Sequence, residues 1–226
     1  MCIRDRIIFD DADIPAAANA ALWAIFANSG QNCVAGSRLY VQDRVYDAVQ
    51  DALASAAPAL KIGQGLDTGT QLGPLISQTQ LDRVMHYVDA GVRDGAALIT
   101  GGAKLDGAGY FMQPTIFGNV ADDALIAAEE IFGPVLTVFR FNDESEAVAR
   151  ANSSKFGLAA GVWTRDLSRA HRLARTLNAG VVWVNTYDWF DPSVPFGGVG
   201  QSGYGRELGR QVMEMYTELK SVWVKL

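Results

Sequence analysis

A single cysteine on a predicted loop is the first residue whose chemistry stands out. Cys33 ends the run Gly30-Gln31-Asn32-Cys33, just after the glycine at which a predicted helix stops. A loop can present a thiolate to a carbonyl carbon as a nucleophile. A free thiol has a pKa near ~8.5, so a neighbouring group must favour the thiolate or remove the proton. Because free cysteine is often buried, an inert core cysteine is an equally weighted alternative.

A pair of carboxylates before a turn is the second candidate site. Glu129 and Glu130 precede Ile131-Phe132-Gly133-Pro134. Ionised carboxylates only accept hydrogen bonds, so they can hold hydroxyl groups such as those of a sugar. Taken alone, the pattern is more typical of a solvated helix end.

Aromatic residues follow a predicted buried strand near the C-terminal end of the sequence. Tyr187, Trp189 and Phe190 lie in the segment 185–207, which is rich in glycine further on. Ligands of open α/β sheets bind beyond the carboxyl ends of strands, so these side chains could line a pocket. A long, packed surface loop is the alternative.

The two histidines and the spacing of potential metal ligands do not predict a catalytic or metal site. His86 and His171 lie within predicted helices among charged neighbours, which favours a solvated or capping role. A cysteine hydrolase built on Cys33 would need one of them as a base. No cluster has the spacing of metal ligands, so we expect no metal site.

Alternating helices and strands must position these residues. Asp13, Asp43 and Asp166 are the predicted N-caps of three helices. The patterns predict helices at 14–27, 43–57, 78–94, 144–151, 166–177 and 207–213, and strands at 37–42, 97–100 (short and buried), 111–117, 135–141, 159–163, 181–185 and 217–225. Strand–helix–strand units with apolar strands predict an α/β fold with a mostly parallel sheet.

Composition excludes several functional classes. The 226 residues carry a net charge of −6, and no basic patch points to nucleic acid. No apolar run reaches the roughly 18 residues of a membrane helix, and the first residues lack the apolar stretch of a signal peptide. Cys2 and Cys33 do not make a disulfide framework, so we expect a reducing, cytoplasmic compartment.

Five motifs in order resemble the aldehyde dehydrogenase superfamily. The first is Phe26-x-x-x-Gly30-Gln31-x-Cys33 followed by Arg38, and the second is the segment 129–134. The others are FGLAAGVWTRDL, GVVWVNTYD and PFGGVGQSGYGREL. The resemblance covers residues 7–226 and implies a three-layer catalytic domain with a C-terminal oligomerisation strand.

The resemblance also implies roles for individual residues. Cys33 would attack an aldehyde to form a thiohemiacetal, with its backbone N–H as an oxyanion donor, and hydride transfer to NAD or NADP would leave a thioester that water hydrolyses to a carboxylic acid. The resemblance further implies that the cofactor is contacted by Glu130, Phe132 and Leu158. It implies a substrate pocket suited to an aromatic or long apolar aldehyde and lined by Asn32, Tyr187, Trp189, Phe190 and Phe196.

The resemblance covers only part of such an enzyme. Residues 1–6 do not fit the family pattern and are interpreted as a non-homologous leader, with a catalytic domain at 7–213 and the oligomerisation strand at 214–226. We interpret the chain as the C-terminal half of such an enzyme, derived from a truncated gene model or a fragmentary assembly. Most of the dinucleotide-binding domain would then be absent. The second oxyanion donor and the general-base glutamate would be absent with it.

Two other functional classes stay open beside the dehydrogenase. One is a cysteine-dependent esterase or acyltransferase, and the other is a non-catalytic oligomerisation module. The full-length enzyme would be a homodimer or homotetramer, with an aldehyde as its small-molecule partner. The isolated chain is expected to be inactive and poorly soluble, because the missing sheet would leave apolar surface exposed.

Overall fold

The computed structural model describes residues 5–226, so Cys2 lies outside the described residues. The strands are β1 (Asp5–Ile8), β2 (Arg38–Gln42), β3 (Ala97–Thr100), β4 (Thr115–Gly118), β5 (Val135–Phe141), β6 (Phe156–Gly157), β7 (Ala159–Trp163), β8 (Val181–Val184) and β9 (Val199–Gly200). The helices are α1 (Ile14–Phe26), α2 (Asp43–Ala56), α3 (Gln78–Arg93), α4 (Leu125–Ala128), α5 (Glu144–Asn152), α6 (Leu167–Thr176) and α7 (Val212–Met215).

The main sheet of the described chain has seven strands in the order β3-β4-β5-β2-β1-β7-β8. Every neighbouring pair is parallel except β3 and β4, which are antiparallel. The predicted α/β fold with a mostly parallel sheet is therefore confirmed. The central strands β1, β2, β5 and β7 are buried almost throughout, as expected where helices cover both faces.

Two apolar cores lie on the two faces of this sheet. The core on one face holds side chains of α1 and α2, including Leu22, Ile25 and Val49. The core on the other face holds side chains of α3, α5 and α6, including Val84 and Leu173. Helix, sheet and helix thus form the three predicted layers.

Capping residues set the start of several helices as predicted. The Asp13 carboxylate accepts a hydrogen bond from the Ala16 amide, and Pro15 lies in the first turn of α1. Asp166 caps α6 in the same way. Helix α2 differs, because Gln42 is its N-cap and Asp43 is its first helical residue.

The N-terminal strand contains residues that the sequence pattern assigned to a leader. Asp5 and Arg6 belong to β1, which pairs with β2 and β7. The Asp5 carboxylate accepts two hydrogen bonds from the Arg38 guanidinium, at 2.5 and 2.7 Å, and both side chains are buried. Burial lowers the pKa of Arg38, but the adjacent Asp5 carboxylate outweighs it and the pKa is raised overall.

Several predicted elements are wrong in extent or burial. Strand β3 is half-exposed rather than buried, because it lies at the edge of the sheet. Strand β4 begins at Thr115 rather than at residue 111. The helix predicted at 207–213 reduces to α7, because Leu208 and Gly209 adopt positive φ angles that no right-handed helix contains.

The predicted terminal strand does not form within this chain. Residues 217–226 pair with no strand among the described residues, and all of them are exposed. A strand requires a neighbour that takes up its N–H and C=O groups, and the described chain offers none here. The short elements β1, α4, β6 and β9 were not predicted from the sequence.

Candidate active site

Cys33 lies on an exposed turn between α1 and β2. The Asn32 side chain accepts a hydrogen bond from the Val34 amide at 3.1 Å, and the Asn32 carbonyl accepts one from the Ala35 amide at 3.0 Å. These bonds close a tight turn with Cys33 inside it. The alternative that Cys33 is buried in the core is therefore wrong.

A left-handed backbone segment turns the chain from α1 toward Cys33. Asn28, Ser29 and Gly30 have φ angles of 52°, 55° and 69°. A Cβ atom at Gly30 would lie 2.1 Å from the carbonyl oxygen of Gly133. Only glycine permits this approach, and the approach brings the Cys33 turn against the segment 129–134.

The loop before the Cys33 turn is also tied to the segment 73–76. The Ser29 hydroxyl donates to the Gly73 carbonyl at 2.7 Å, and the Gln31 side chain accepts from the Ile76 amide at 2.9 Å. These contacts tie the residues just before Cys33 to a segment outside the main sheet. The position of Cys33 is therefore set by segments far apart in sequence.

Helix α3 holds the backbone around Glu130. The Arg83 guanidinium donates to the Glu130 carbonyl at 2.9 Å, and the Gln80 amide donates to the Phe132 carbonyl at 2.8 Å. Phe132 has a φ of 59°, a strained value for a bulky residue, and its side chain is 38% exposed. The backbone of this segment is thus held in a defined, strained turn.

The two neighbouring glutamates have different surroundings. The Glu129 carboxylate accepts a hydrogen bond from the Tyr87 hydroxyl at 2.7 Å. Burial, together with this bond, raises the pKa of Tyr87. Glu130 instead lines a narrow cleft that also contains Asn32 and Phe132. The sequence pattern grouped these glutamates, whereas in the structure Glu129 is bonded to Tyr87 and Glu130 lines the cleft.

Leu158 lies in the same region of the fold. It is buried beside Val34, the residue after Cys33, in a small apolar cluster with Ala159 and Trp183. Cys33 and Glu130 lie five residues before β2 and β5, and Leu158 directly precedes β7, so these residues gather at the amino ends of parallel strands. The rule that ligands lie beyond carboxyl ends, applied above to the aromatic segment, does not describe this group.

The aromatic residues after β8 form a separate cleft of about 240 Å³. Trp183, Trp189, Phe190 and Phe196 line it, and the Trp183 indole donates to the Trp189 carbonyl at 2.9 Å. Phe190 packs edge-on against Trp183 and Phe196. Trp183 was interpreted as packing from the sequence, and its contribution to the lining was missed because a strand tryptophan gives no separate signal.

Tyr187 does not line this aromatic cleft. Its ring packs against Trp183 with centroids 4.6 Å apart, and its hydroxyl donates to the Val34 carbonyl at 2.9 Å. The segment after β8 thus folds back toward the Cys33 turn. The structure therefore splits the three predicted pocket residues, placing Trp189 and Phe190 in the cleft and Tyr187 beneath the turn.

A larger cleft of about 500 Å³ lies elsewhere. Its lining includes Tyr46, Asn119, Arg140 and Arg150, and it shares no residue with the cleft at Asn32 and Glu130. Both arginines are engaged in ion pairs with nearby aspartates. It therefore offers no unpaired charge to a ligand.

Neither histidine is positioned by the described contacts to activate Cys33. His86 and His171 are exposed on α3 and α6. Within residues 5–226, no hydrogen bond joins either imidazole to the Cys33 turn. The same residues contain no cluster of three or more potential metal ligands, and no helix among them is long and apolar enough to span a membrane.

The site thus combines an exposed cysteine turn with an adjoining carboxylate-bearing segment on a three-layer α/β domain. The chain belongs to the aldehyde dehydrogenase family: the family profile described as "Aldehyde dehydrogenase family" matches residues 4–222. That match begins before Asp5 and Arg6, the two described residues of the predicted leader.

Individual relatives agree with the family assignment. The chain is 50% identical over 216 residues to a mitochondrial aldehyde dehydrogenase of Leishmania tarentolae, covering 96% of this chain and 43% of that protein. It is 47% identical over 221 residues to a betaine aldehyde dehydrogenase of Sinorhizobium fredii, covering 96% and 45%.

A solved structure has the same fold. The aldehyde dehydrogenase from Bacillus cereus, in its NAD+ complex, is 46% identical with a TM-score of 0.96. The match covers 99% of this chain and 45% of that one. The chain therefore spans less than half the length of the relatives that it matches.

Proposed function

We propose that this chain supplies the catalytic cysteine domain of an NAD(P)-dependent aldehyde dehydrogenase, which oxidises an aldehyde to a carboxylic acid. The contact between Gly30 and Gly133 is the observation that carries the proposal. It joins the exposed Cys33 turn to the Glu130 segment, so that a nucleophile and a hydroxyl-binding carboxylate lie on adjoining loops. Family membership supports the same reaction.

The residues present suit the nicotinamide riboside end of the cofactor. In the whole enzyme the Glu130 carboxylate would accept from ribose hydroxyls and the half-exposed Phe132 would present apolar surface, while Leu158, buried beside Val34, would contact the nicotinamide. NAD or NADP, when bound, supplies the acceptor for the aldehyde hydride. The Bacillus cereus relative has been solved as an NAD+ complex, which supports this choice of cofactor class.

The protein's own part of the reaction begins at Cys33. The thiolate sulfur bonds to the aldehyde carbon, and the carbonyl π electrons move to oxygen as the thiohemiacetal forms. The Cys33 backbone N–H donates to that developing oxyanion. The carbonyl of the same peptide, that of Asn32, accepts from Ala35, so the direction of the N–H is fixed before substrate arrives.

The substrate contacts are proposed at the aromatic cleft. Trp189, Phe190 and Phe196 present apolar surface there, which suits an aromatic or long apolar aldehyde. Asn32 stands next to Cys33 and would contact the reacting end of the substrate. Relatives that act in this family include enzymes described as betaine aldehyde dehydrogenases, so a small polar aldehyde is the comparison substrate in any assay.

Activity is proposed for the whole enzyme rather than for this chain alone. The sequence shows no counterpart of the general-base glutamate or the second oxyanion asparagine within the matched motifs. Loss of one oxyanion donor costs about 10²–10³ in rate. In the whole enzyme, exposed residues 217–226 would pair with a second copy in a homodimer or homotetramer within a reducing, cytoplasmic compartment.

A chimera tests the proposal most directly. The matched 45% of the Bacillus cereus enzyme is replaced by residues 7–226, and NADH formation is followed at 340 nm with aromatic and betaine aldehydes. We expect activity that Cys33→Ser abolishes and Glu130→Gln weakens mainly through a higher KM for the cofactor. A folded chimera without Cys33-dependent NADH formation contradicts the proposal.

The chain by itself distinguishes the alternatives. We expect no NAD(P)-dependent aldehyde oxidation from residues 1–226. Esterase activity that disappears in Cys33→Ser without any cofactor dependence would favour a hydrolase, although neither His86 nor His171 is placed to assist it. A stable dimer whose Cys33 resists iodoacetamide would favour a non-catalytic module.

A further inference from the structure

The peptide groups on both sides of Cys33 are held by hydrogen bonds. The Asn32 carbonyl accepts from the Ala35 amide, and the Asn32 side chain accepts from the Val34 amide. Because each peptide unit is planar, these bonds fix the planes before and after Cys33. Another polar group of the turn, the Val34 carbonyl, accepts its hydrogen bond from outside the turn.

That outside donor is the Tyr187 hydroxyl, 2.9 Å from the Val34 carbonyl oxygen. Tyr187 comes from the segment after β8, more than 150 residues further along the chain. This hydrogen bond links the turn to the segment that follows the edge strand β8. It cannot form unless β8 and the segment after it are in place.

Packing fixes the direction of the Tyr187 hydroxyl. The ring lies over Gly161 of β7, where an added Cβ atom would come within 2.8 Å of it. Trp183 packs on the ring at 4.6 Å between centroids, and the Arg6 guanidinium carbon lies 3.6 Å from the ring centroid. The ring is therefore confined, and its hydroxyl is directed at the turn.

We propose that Tyr187 is a positioning residue for the nucleophile and does not line the substrate mouth. It keeps the turn 32–35 in one arrangement, so that the Cys33 sulfur and the Cys33 backbone N–H act on the same carbonyl group. The inference rests on the proposed function, because positioning has catalytic meaning only if Cys33 attacks a carbonyl. Tyr187 therefore affects how readily Cys33 forms an adduct with an aldehyde, and it does not affect how exposed the Cys33 thiol is.

The test uses the full chain carrying Cys2→Ser, so that Cys33 is its only thiol. Tyr187→Phe removes the hydroxyl and keeps the ring, while Tyr204→Phe, at a side chain that is 95% exposed, is the matched control. Amide hydrogen exchange of residues 31–36 is measured by mass spectrometry. Reversible addition of 4-nitrobenzaldehyde is measured as protection of Cys33 from iodoacetamide.

We expect Tyr187→Phe to speed exchange in the turn and weaken the aldehyde adduct by about three- to tenfold each, the effect of one lost hydrogen bond. The rate of iodoacetamide alkylation without aldehyde should stay within about twofold, because that reaction needs only an exposed thiolate. Tyr204→Phe should change none of these quantities. A general loss of packing would instead alter alkylation and adduct formation together.

The possible failures are distinguishable. If turn exchange or adduct affinity is unchanged in Tyr187→Phe, the positioning role is overturned while the proposed function stands. If the parent chain is alkylated normally but forms no adduct with the aldehyde, the positioning role given to Tyr187 in this chain is overturned, while the proposed function of the whole enzyme is judged separately by the chimera. A weaker adduct with unchanged alkylation in Tyr187→Phe alone supports both.

Discussion

At the scale of single residues, glycine and strained backbone determine where the reactive groups meet. Gly30 has no side chain where a Cβ atom would collide with the Gly133 carbonyl, and Phe132 accepts a positive φ beside the cleft. Strain of this kind costs about 1–3 kcal/mol and persists only where surrounding contacts determine it. Here those contacts are the hydrogen bonds from α3 to the backbone of the segment 130–132.

The first prediction concerns Gly30. We expect Gly30→Ala to lower the free energy of unfolding by at least about 2 kcal/mol, because the methyl group meets backbone and the φ of 69° disfavours L-residues. Urea denaturation followed by circular dichroism measures the loss. Gly65→Ala is the control, since no atom lies within 4 Å of its added Cβ. Equal stability of the two variants would refute the role given to Gly30.

At the scale of elements, most helices and strands could be predicted, but the site's assembly could not. Capping by Asp13 and Asp166 and the apolar runs of β5 and β7 are local signals, and the structure confirms them. Local sequence patterns cannot predict the contact between Gly30 and Gly133, because these residues lie about one hundred positions apart in the chain.

The same limit explains the errors at the end of the chain. The pattern at 217–225 alternates as in a strand, but strand formation depends on a neighbour that local sequence cannot supply. The contact of Tyr187 with the Cys33 turn could not be predicted either, because the sequence does not distinguish it from the other aromatic residues after β8. Which of them turns back to the Cys33 turn is decided by tertiary packing against Gly161 and Trp183.

The second prediction concerns the ion pair that joins α5 to α6. Hydrogen bonds from the Arg172 guanidinium, at 2.9 and 2.8 Å, lower the pKa of Glu144, and Arg169 adds a weaker effect. A carboxyl group whose pKa is lower when folded stabilises the fold above its unfolded pKa. That contribution is lost as the pH falls through the folded pKa.

We therefore expect Glu144→Gln to reduce the amount by which the free energy of unfolding falls between pH 7 and pH 3. The loss at pH 7 should be no more than about 1 kcal/mol, because the pair is partly exposed and screened. The difference between variant and parent should vanish near pH 3. Urea titrations at pH 7, 5, 4 and 3 measure it, with exposed Glu214→Gln as control. A constant difference at all four pH values would show that Glu144 acts through packing instead.

At the scale of the whole molecule, the chain combines a closed core with an open apolar end. The two cores on either side of the sheet are continuous and buried. Residues 217–226, by contrast, expose Leu219, Val222, Trp223, Val224 and Leu226 to solvent. An unpaired, apolar, extended segment is a template for pairing with another chain.

The last prediction follows from this exposed segment. We expect the parent chain to self-associate at micromolar concentration, and the double variant Leu219→Lys/Val224→Lys to reduce its mean mass toward that of a monomer. Leu219 and Val224 are five residues apart and fall on opposite faces of a strand, so the two lysines place a charge on each face and remove apolar area from the contact with a pairing strand. Size-exclusion chromatography with light scattering measures the mass across a dilution series. Leu66→Lys, at a side chain 98% exposed in the loop before α3, is the matched control and should leave association unchanged. If the double variant associates like the parent, another surface joins the copies, and the segment 217–226 has no part in assembly.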